Sequence, residues 1–161
     1  MLKKINIRVV SYDTLALFFL INGIQRLFMA SQGEKFIAIM NNDLEKYYSL
    51  TSIKASEFFI LRGYWTYGAF IFGILLIGII NWKSKINIIN SISTFIIVSF
   101  LFPTGVFLRG IINNYLNYFS GLFSENYSIS FLMGGSILLL IGLLILWRIT
   151  YSKRKTAQNN A

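Results

Sequence analysis

The amino-acid sequence predicts an all-α integral membrane protein with four transmembrane helices in an up-down bundle. Hydrophobic residues make up 55% of the 161 residues, aromatic residues 17% and charged residues only 13%. With a mean hydropathy of +0.61, the chain is too apolar and too poor in charge for an ordinary soluble domain. Four apolar runs also approach the length of about 20 residues that a membrane span needs. We therefore expect one four-span membrane domain over residues 1–161.

The four runs differ in how strongly they predict a span. They cover residues 10–30, 63–82, 86–108 and 129–149. The second and fourth are almost continuously apolar, whereas the first contains Asp13 and Asn22 and the third contains Asn90. Lipid cannot satisfy such polar groups, so we expect spans one and three to face the interior of the bundle.

The distribution of Lys and Arg predicts the orientation. Nine of the 15 basic residues flank the N-terminus, the turn between spans two and three, and the C-terminal end. Because basic flanks are retained on the cytoplasmic side, both termini are predicted to be cytoplasmic. Residues 150–161 form a basic tail, which we expect to be flexible and attracted to anionic lipid rather than to nucleic acid.

The first outer loop, residues 31–62, is too long for a simple turn. Apolar residues recur in it at three- and four-residue spacing with charged residues between them, the pattern of an amphipathic helix. We expect this helix to lie on the membrane surface or to cap the bundle. Its apolar positions are Phe36, Ile37, Met40, Leu44, Tyr47 and Tyr48.

The residues that the sequence lacks exclude several chemistries. There is no His and no Cys, so the usual zinc sites, imidazole-ligated haem, disulfide exchange and His- or Cys-based catalysis are ruled out. The six acidic residues are scattered along the chain and predict neither a metal site nor an acid–base pair. We accordingly predict no catalytic residue, no metal and no cofactor bound by this chain.

Three arginines give the strongest indication of a functional site. Arg26, Arg62 and Arg109 each lie near the predicted outer end of a span. If spans one, two and three are neighbours, the three guanidiniums converge at one level, and their planar geometry suits a phosphate, a carboxylate or a quinone-like head group. The other predicted site residues are Asn22, Gln25, Tyr64 and Glu57, the last as a counter-ion.

A structural explanation of the arginines is also open. Arginines near helix ends commonly extend to the membrane interface as anchors, and this explanation suffices for Arg62 and Arg109. Arg26 differs because it follows Asn22 and Gln25 within its span. For Arg26 the sequence supports a functional and a structural role equally.

Short motifs carry a resemblance to known families. The run LFFLINGIQRLF at residues 17–28 resembles the first span of DoxX-like four-helix membrane proteins, in which an apolar run leads into a glycine, a basic residue and an outer loop. LRG at residues 61–63 and GVFLR at residues 105–109 are similar to a related uncharacterised four-span family of bacteria. The resemblance covers most of the chain. It implies four helices, an association with membrane redox and sulfur metabolism, and functional positions at Arg26, Arg62 and Arg109.

Two functions remain open from the sequence. We favour a non-enzymatic accessory or small-ligand-binding protein, with an outward-facing pocket lined by arginines that takes a membrane lipid, a quinone or another apolar molecule with a polar head. The alternative is a subunit of a quinone-linked membrane redox enzyme whose cofactor is supplied by a partner. A homo-oligomer and a larger membrane complex are both open, and nucleic acid is not an expected partner. The residue usage indicates a bacterium with an AT-rich genome, and we expect the protein in the cytoplasmic (inner) membrane.

Overall fold

The computed structural model describes the backbone of residues 5–101 and 111–158, and the side chains of residues 5–101 and 114–148. Every regular element in these ranges is an α-helix. The prediction of an all-α chain is confirmed for this part of the molecule. The helices are α1 (Ile7–Ser31), α2 (Gly33–Met40), α3 (Leu44–Leu50), α4 (Ala55–Lys83), α5 (Ile88–Leu101), α6 (Ile111–Gly121) and α7 (Tyr127–Gln158).

Three of the described helices, α1, α4 and the Tyr127–Arg148 part of α7, are long and apolar enough to cross a membrane. They correspond to the first, second and fourth predicted spans. The third, predicted over residues 86–108, begins as the shorter apolar helix α5, and its remaining residues lie outside the described ranges. α7 continues as helix to Gln158, so the helix includes most of the predicted basic tail.

The second span begins earlier than the sequence indicated. α4 starts at Ala55 rather than at residue 63, because the apolar run before Arg62 continues the helix and buries Phe58. Arg62 and Glu57 are therefore helical residues of α4, whereas the sequence placed them in the outer loop.

α1 is the central helix and runs antiparallel to α4. Near its start Asp13 contacts Asn81 at the end of α4, and near its end Gln25 contacts Thr66. Between these polar contacts lies an apolar core in which α1 contributes side chains that are at most 1% exposed. The buried members of this core include Ala16, Leu17, Leu20, Ile21, Ile77, Val98 and Leu146.

α7 packs along α1, also antiparallel to it. Leu20 of α1 lies against Gly142, and Gly33, just beyond α1, lies against Ser128 at the start of α7. α5 completes the contacts of α1 and α4, and α6 packs on α7. The result is a bundle with α1 at its centre and one polar layer on either side of the apolar core.

The first outer loop forms two short helices, where the sequence indicated one amphipathic helix. α2 and α3 are separated at Asn42, whose φ of 56° is a left-handed conformation that Asn tolerates well. Asp43 then caps α3 by accepting a hydrogen bond from the backbone N–H of Lys46, at 3.0 Å. The break turns Phe36 and Tyr47 into the core, while Met40, Leu44 and Tyr48 are exposed.

Candidate ligand-binding site

Arg26 is almost completely buried, with 1% of its surface exposed. It is the largest of the fully buried side chains among the described residues. Asn22 precedes it by four residues and Gln25 by one, so three polar side chains occupy neighbouring positions on α1. Asn22 is 0% and Gln25 5% exposed. The sequence-based expectation that polar residues of the first span face the bundle interior is confirmed for all three.

The guanidinium of Arg26 is held between two helices by amide oxygens. Nη1 donates to the side-chain Oδ1 of Asn22 at 3.2 Å and to its backbone carbonyl at 3.4 Å. Nη2 donates to Oδ1 of Asn117 on α6 at 2.8 Å. Asn117 itself is exposed. The buried guanidinium is thus hydrogen-bonded directly to one exposed side chain.

Aromatic rings of α7 form the adjoining wall. The Cζ atom of Arg26 lies 6.0 Å from the ring centroid of Phe131, within the range of a cation–π contact. Phe131 stacks on Tyr127 with centroids 4.5 Å apart, and Tyr127 stacks in turn on Phe36 of α2 at 5.4 Å. The three stacked rings therefore link the site to α2.

Gln25 connects the site to α4. Its Nε2 donates to Oγ1 of Thr66 at 3.3 Å, and Thr66 Oγ1 donates to the backbone carbonyl of Arg62 at 2.8 Å. Arg62 is half-buried. The Arg26 and Arg62 guanidiniums are close enough to repel each other, and Tyr127 lies within electrostatic range of both.

The acidic residues of this half of the molecule are on the surface. Glu34, Asp43, Glu45, Glu57 and Glu125 are all exposed. Glu57, the predicted counter-ion, lies within electrostatic range of Tyr47 and is nine residues before Thr66 on α4, roughly 13 Å along the helix axis. The Arg26 guanidinium contacts amide oxygens and an aromatic ring.

The predicted site residues have separate outcomes. Asn22, Gln25, Arg26 and Arg62 are brought together around the C-terminal end of α1. Tyr64, another predicted site residue, is 70% exposed. Arg109 lies outside the residues that the structure describes.

Sequence reasoning missed Thr66, Asn117 and Phe131. Thr66 has a signal in the sequence, since it follows Arg62 by four residues and so shares its helix face. Asn117 and Phe131 have none, because their contacts with Arg26 join residues far apart in the chain and arise from packing alone.

Guanidinium donors, amide groups and aromatic rings are the kinds of group that can bind an anionic or polar head group. Within the described residues, no cluster of three or more His, Cys, Asp or Glu side chains capable of holding a metal ion is present. No protein-family model, curated protein or solved structure matches this chain.

Proposed function

We propose that this protein is a non-enzymatic accessory or small-ligand-binding membrane protein that recognises the anionic head of a lipid-like molecule at the layer of Arg26 and Arg62. The observation that carries the proposal is the Arg26 guanidinium, which is 1% exposed and yet directed at the exposed Asn117. Burial strengthens its electrostatic field because the surrounding medium screens it less than water does. An anion that reaches this point gains charge-assisted hydrogen bonds.

Asn117 provides the route of access. A head-group oxygen that takes the place of Asn117 Oδ1 accepts the same Nη2–H hydrogen bond and adds a negative charge to it. Apolar tails then have a surface on α7, where Leu132 and Met133 follow Phe131 and are 50% and 45% exposed. Such a ligand has a charged head and a long apolar tail, which is the chemistry of a membrane lipid.

The bound molecule can be identified by native mass spectrometry. The protein is reconstituted in nanodiscs of phosphatidylglycerol or of phosphatidylcholine, released and weighed with its retained lipid. We expect retained phosphatidylglycerol in the wild type and a roughly tenfold or greater loss of affinity in Arg26→Gln, since a hydrogen bond to a charged group contributes about 1.5–3 kcal/mol. Arg148→Gln removes an exposed arginine at the other end of the bundle and is expected to bind as the wild type does.

Two results contradict this proposal. One is equal retention of the anionic and the zwitterionic lipid by the wild-type protein. The other is equal retention of phosphatidylglycerol by Arg26→Gln and Arg148→Gln. Asn117→Asp supplies an independent check, because a carboxylate beside Arg26 competes with an anionic ligand and should lower its retention.

A quinone-linked redox subunit is the second candidate, and the stacked rings of Tyr127 and Phe131 favour it. An aromatic ring beside a guanidinium suits a ligand ring with carbonyl oxygens. Titration of a short-chain quinone in detergent, followed by quenching of intrinsic fluorescence, tests this candidate. Saturable quenching that is lost in Phe131→Leu and retained in Phe123→Leu, at an exposed position, supports a quinone site, and the absence of saturable quenching contradicts it.

The proposal includes four spans with both termini in the cytoplasm of a bacterium, in a DoxX-like or related four-span family. The charge distribution and the antiparallel packing of α1 with α4 and α7 support it. Because the chain contains no Cys, single introduced cysteines report sidedness cleanly. Ser52→Cys should react with an impermeant maleimide in intact cells, and Ser84→Cys only after permeabilisation; the reverse pattern inverts the topology.

A further inference from the structure

The second polar layer of the bundle surrounds Asp13, at the opposite end of α1 from Arg26. Asp13 Oδ2 accepts a hydrogen bond from Nδ2 of Asn81 on α4 at 2.7 Å, and the same Nδ2 donates to Oγ of Ser91 on α5 at 2.9 Å. Asp13 is 0% and Asn81 1% exposed. An amide thus joins three helices around one fully buried carboxyl group.

Each of the two principal side chains has one buried oxygen without a hydrogen-bond partner. These atoms are Oδ1 of Asp13 and Oδ1 of Asn81. Both are acceptors when Asp13 is ionised, so two acceptors are enclosed without a donor. A buried unpaired acceptor is unfavourable, and a buried unpaired charge is much more so.

Basic residues at this end of the bundle are on its surface. Arg8 on α1, Lys83 on α4, Lys85 before α5 and Arg148 on α7 are exposed, as is Tyr12; α5 contains no titratable residue. Among the described side chains, the hydrogen bond to Asp13 comes from the neutral amide of Asn81. Asp13 therefore differs from a helix-end carboxylate that is paired with a basic residue.

We propose that Asp13 and Asn81 form a proton-binding site, in which the proton resides on Oδ1 of Asp13 and is donated to Oδ1 of Asn81. Binding converts a carboxylate and a proton taken from water into a neutral carboxylic acid. A carboxylic acid and a carboxamide present matching donor and acceptor pairs, so one proton satisfies both unpartnered oxygens and removes the buried charge. Loss of the proton leaves a carboxylate anion between α1, α4 and α5. Because a buried unpaired charge is unfavourable, water must enter this layer when the proton leaves.

A proton explains these atoms better than a metal ion. Hard cations such as Ca²⁺ take about six to eight oxygen ligands, whereas the buried oxygens without a partner at this end are those of Asp13, Asn81 and the Thr14 hydroxyl. A proton needs one donor oxygen and one acceptor. The two Oδ1 atoms supply both.

The chain allows a direct measurement of the protonation state, because Asp13 and Asp43 are its only aspartates. Cell-free synthesis with aspartate isotope-labelled at the side-chain carboxyl carbon, in the Asp43→Asn background, labels one carboxyl group. At neutral pH we expect the infrared carbonyl band and the carbon chemical shift of a carboxylic acid. Both should disappear in Asp13→Asn, which retains the shape of the side chain.

Variants of Asn81 and its neighbour Ser91, with one control, test the proposed partner of Asp13. Asn81→Leu should shift the carbonyl band by removing its hydrogen bond, whereas Asn114→Leu, at an exposed position on α6, should leave it in place. If Asn81→Leu does not fold, Ser91→Ala weakens the same amide more gently and should give a smaller shift. A band unchanged in folded Asn81→Leu overturns the pairing.

Measuring the protonation state of Asp13 in sodium and in potassium buffers distinguishes a bound proton from a bound metal ion. An ionised Asp13 at neutral pH in both sodium and potassium buffers overturns the proposal. An Asp13 that is ionised in sodium and protonated in potassium also overturns it and assigns the site to sodium instead. A carboxylic acid in both buffers is the result that we expect.

Discussion

Gly23 of α1 and Gly135 of α7 meet backbone to backbone. A Cβ atom on Gly23 would lie 2.9 Å from the carbonyl oxygen of Gly135, and one on Gly135 would lie 3.0 Å from the carbonyl oxygen of Gly23. Each contact involves main-chain atoms, which cannot rotate away. The close approach brings Arg26 against α7, since its own Cβ is also within 3.1 Å of the position that a Gly135 side chain would occupy.

Gly23→Ala is expected to destabilise the bundle. The added methyl group meets Leu139 Cγ at 2.7 Å and Gly135 O at 2.9 Å, so α1 and α7 must separate, at a cost of about 1–3 kcal/mol in the free energy of unfolding. Thermal unfolding in detergent, followed by circular dichroism, measures the change. Gly78→Ala on α4 is the control because its added Cβ meets open space, with no atom within 4 Å other than those of its own helical turns; equal unfolding temperatures for the two variants would contradict the close packing.

The sequence predicted the burial of α1 well and its partners poorly. Polar residues in a span face inward because lipid cannot satisfy them, and Asp13, Asn22, Gln25 and Arg26 are all buried. The partner of Asp13 is the amide of Asn81, which the sequence shows only as a polar residue at the end of a span. Helix faces follow from local periodicity, but the pairing of two faces depends on three-dimensional packing.

The loop between α1 and α4 shows a second limit of prediction from the sequence. Its apolar residues recur with the periodicity of one helix, but Asn42 adopts a left-handed conformation and divides that helix into α2 and α3. One such residue redirects the chain without changing the periodicity. The glycines of span four also contact different helices. Gly134 lies against Ser120 of α6, while Gly142 lies against Leu20 of α1.

Thr66→Val should weaken the contact of α1 with α4. Valine retains the shape of threonine but removes the hydroxyl that accepts from Gln25 and donates to the carbonyl of Arg62. We expect the free energy of unfolding to decrease by about 1–3 kcal/mol, because the Gln25 amide remains buried. Thr66→Ser keeps the hydroxyl and should recover most of the loss in the same thermal measurement; no difference between the two variants would exclude the hydrogen bonds as its cause.

Asn117→Leu should release α6 from α1. The variant removes the oxygen that accepts from Nη2 of Arg26 at 2.8 Å, a bond to a charged donor of about 1.5–3 kcal/mol. Hydrogen–deuterium exchange should become faster in α6 and remain unchanged in α3. Asn114→Leu makes the same substitution at an exposed position on α6, so faster exchange there too would indicate that loss of any amide, rather than of this contact, loosens the helix.

Tyr47→Phe should stabilise the protein, in contrast to most core substitutions. Tyr47 is 0% exposed and its hydroxyl oxygen has no hydrogen-bond partner, so removing the hydroxyl relieves an unfavourable burial of about 1 kcal/mol.

Burial, assisted by Tyr48 and Glu57, also raises the pKa of Tyr47 above its ordinary value of 10.0. The folded state therefore keeps its proton at a pH where the unfolded state loses it, and stability declines as the pH rises through that ordinary value. The unfolding temperature of Tyr47→Phe at neutral pH should be higher than that of the wild type. Its decrease between neutral and alkaline pH should be smaller. Tyr48→Phe, at a side chain that is 51% exposed, should leave the unfolding temperature at neutral pH unchanged, and an equal gain there would mean that the effect does not come from the buried hydroxyl.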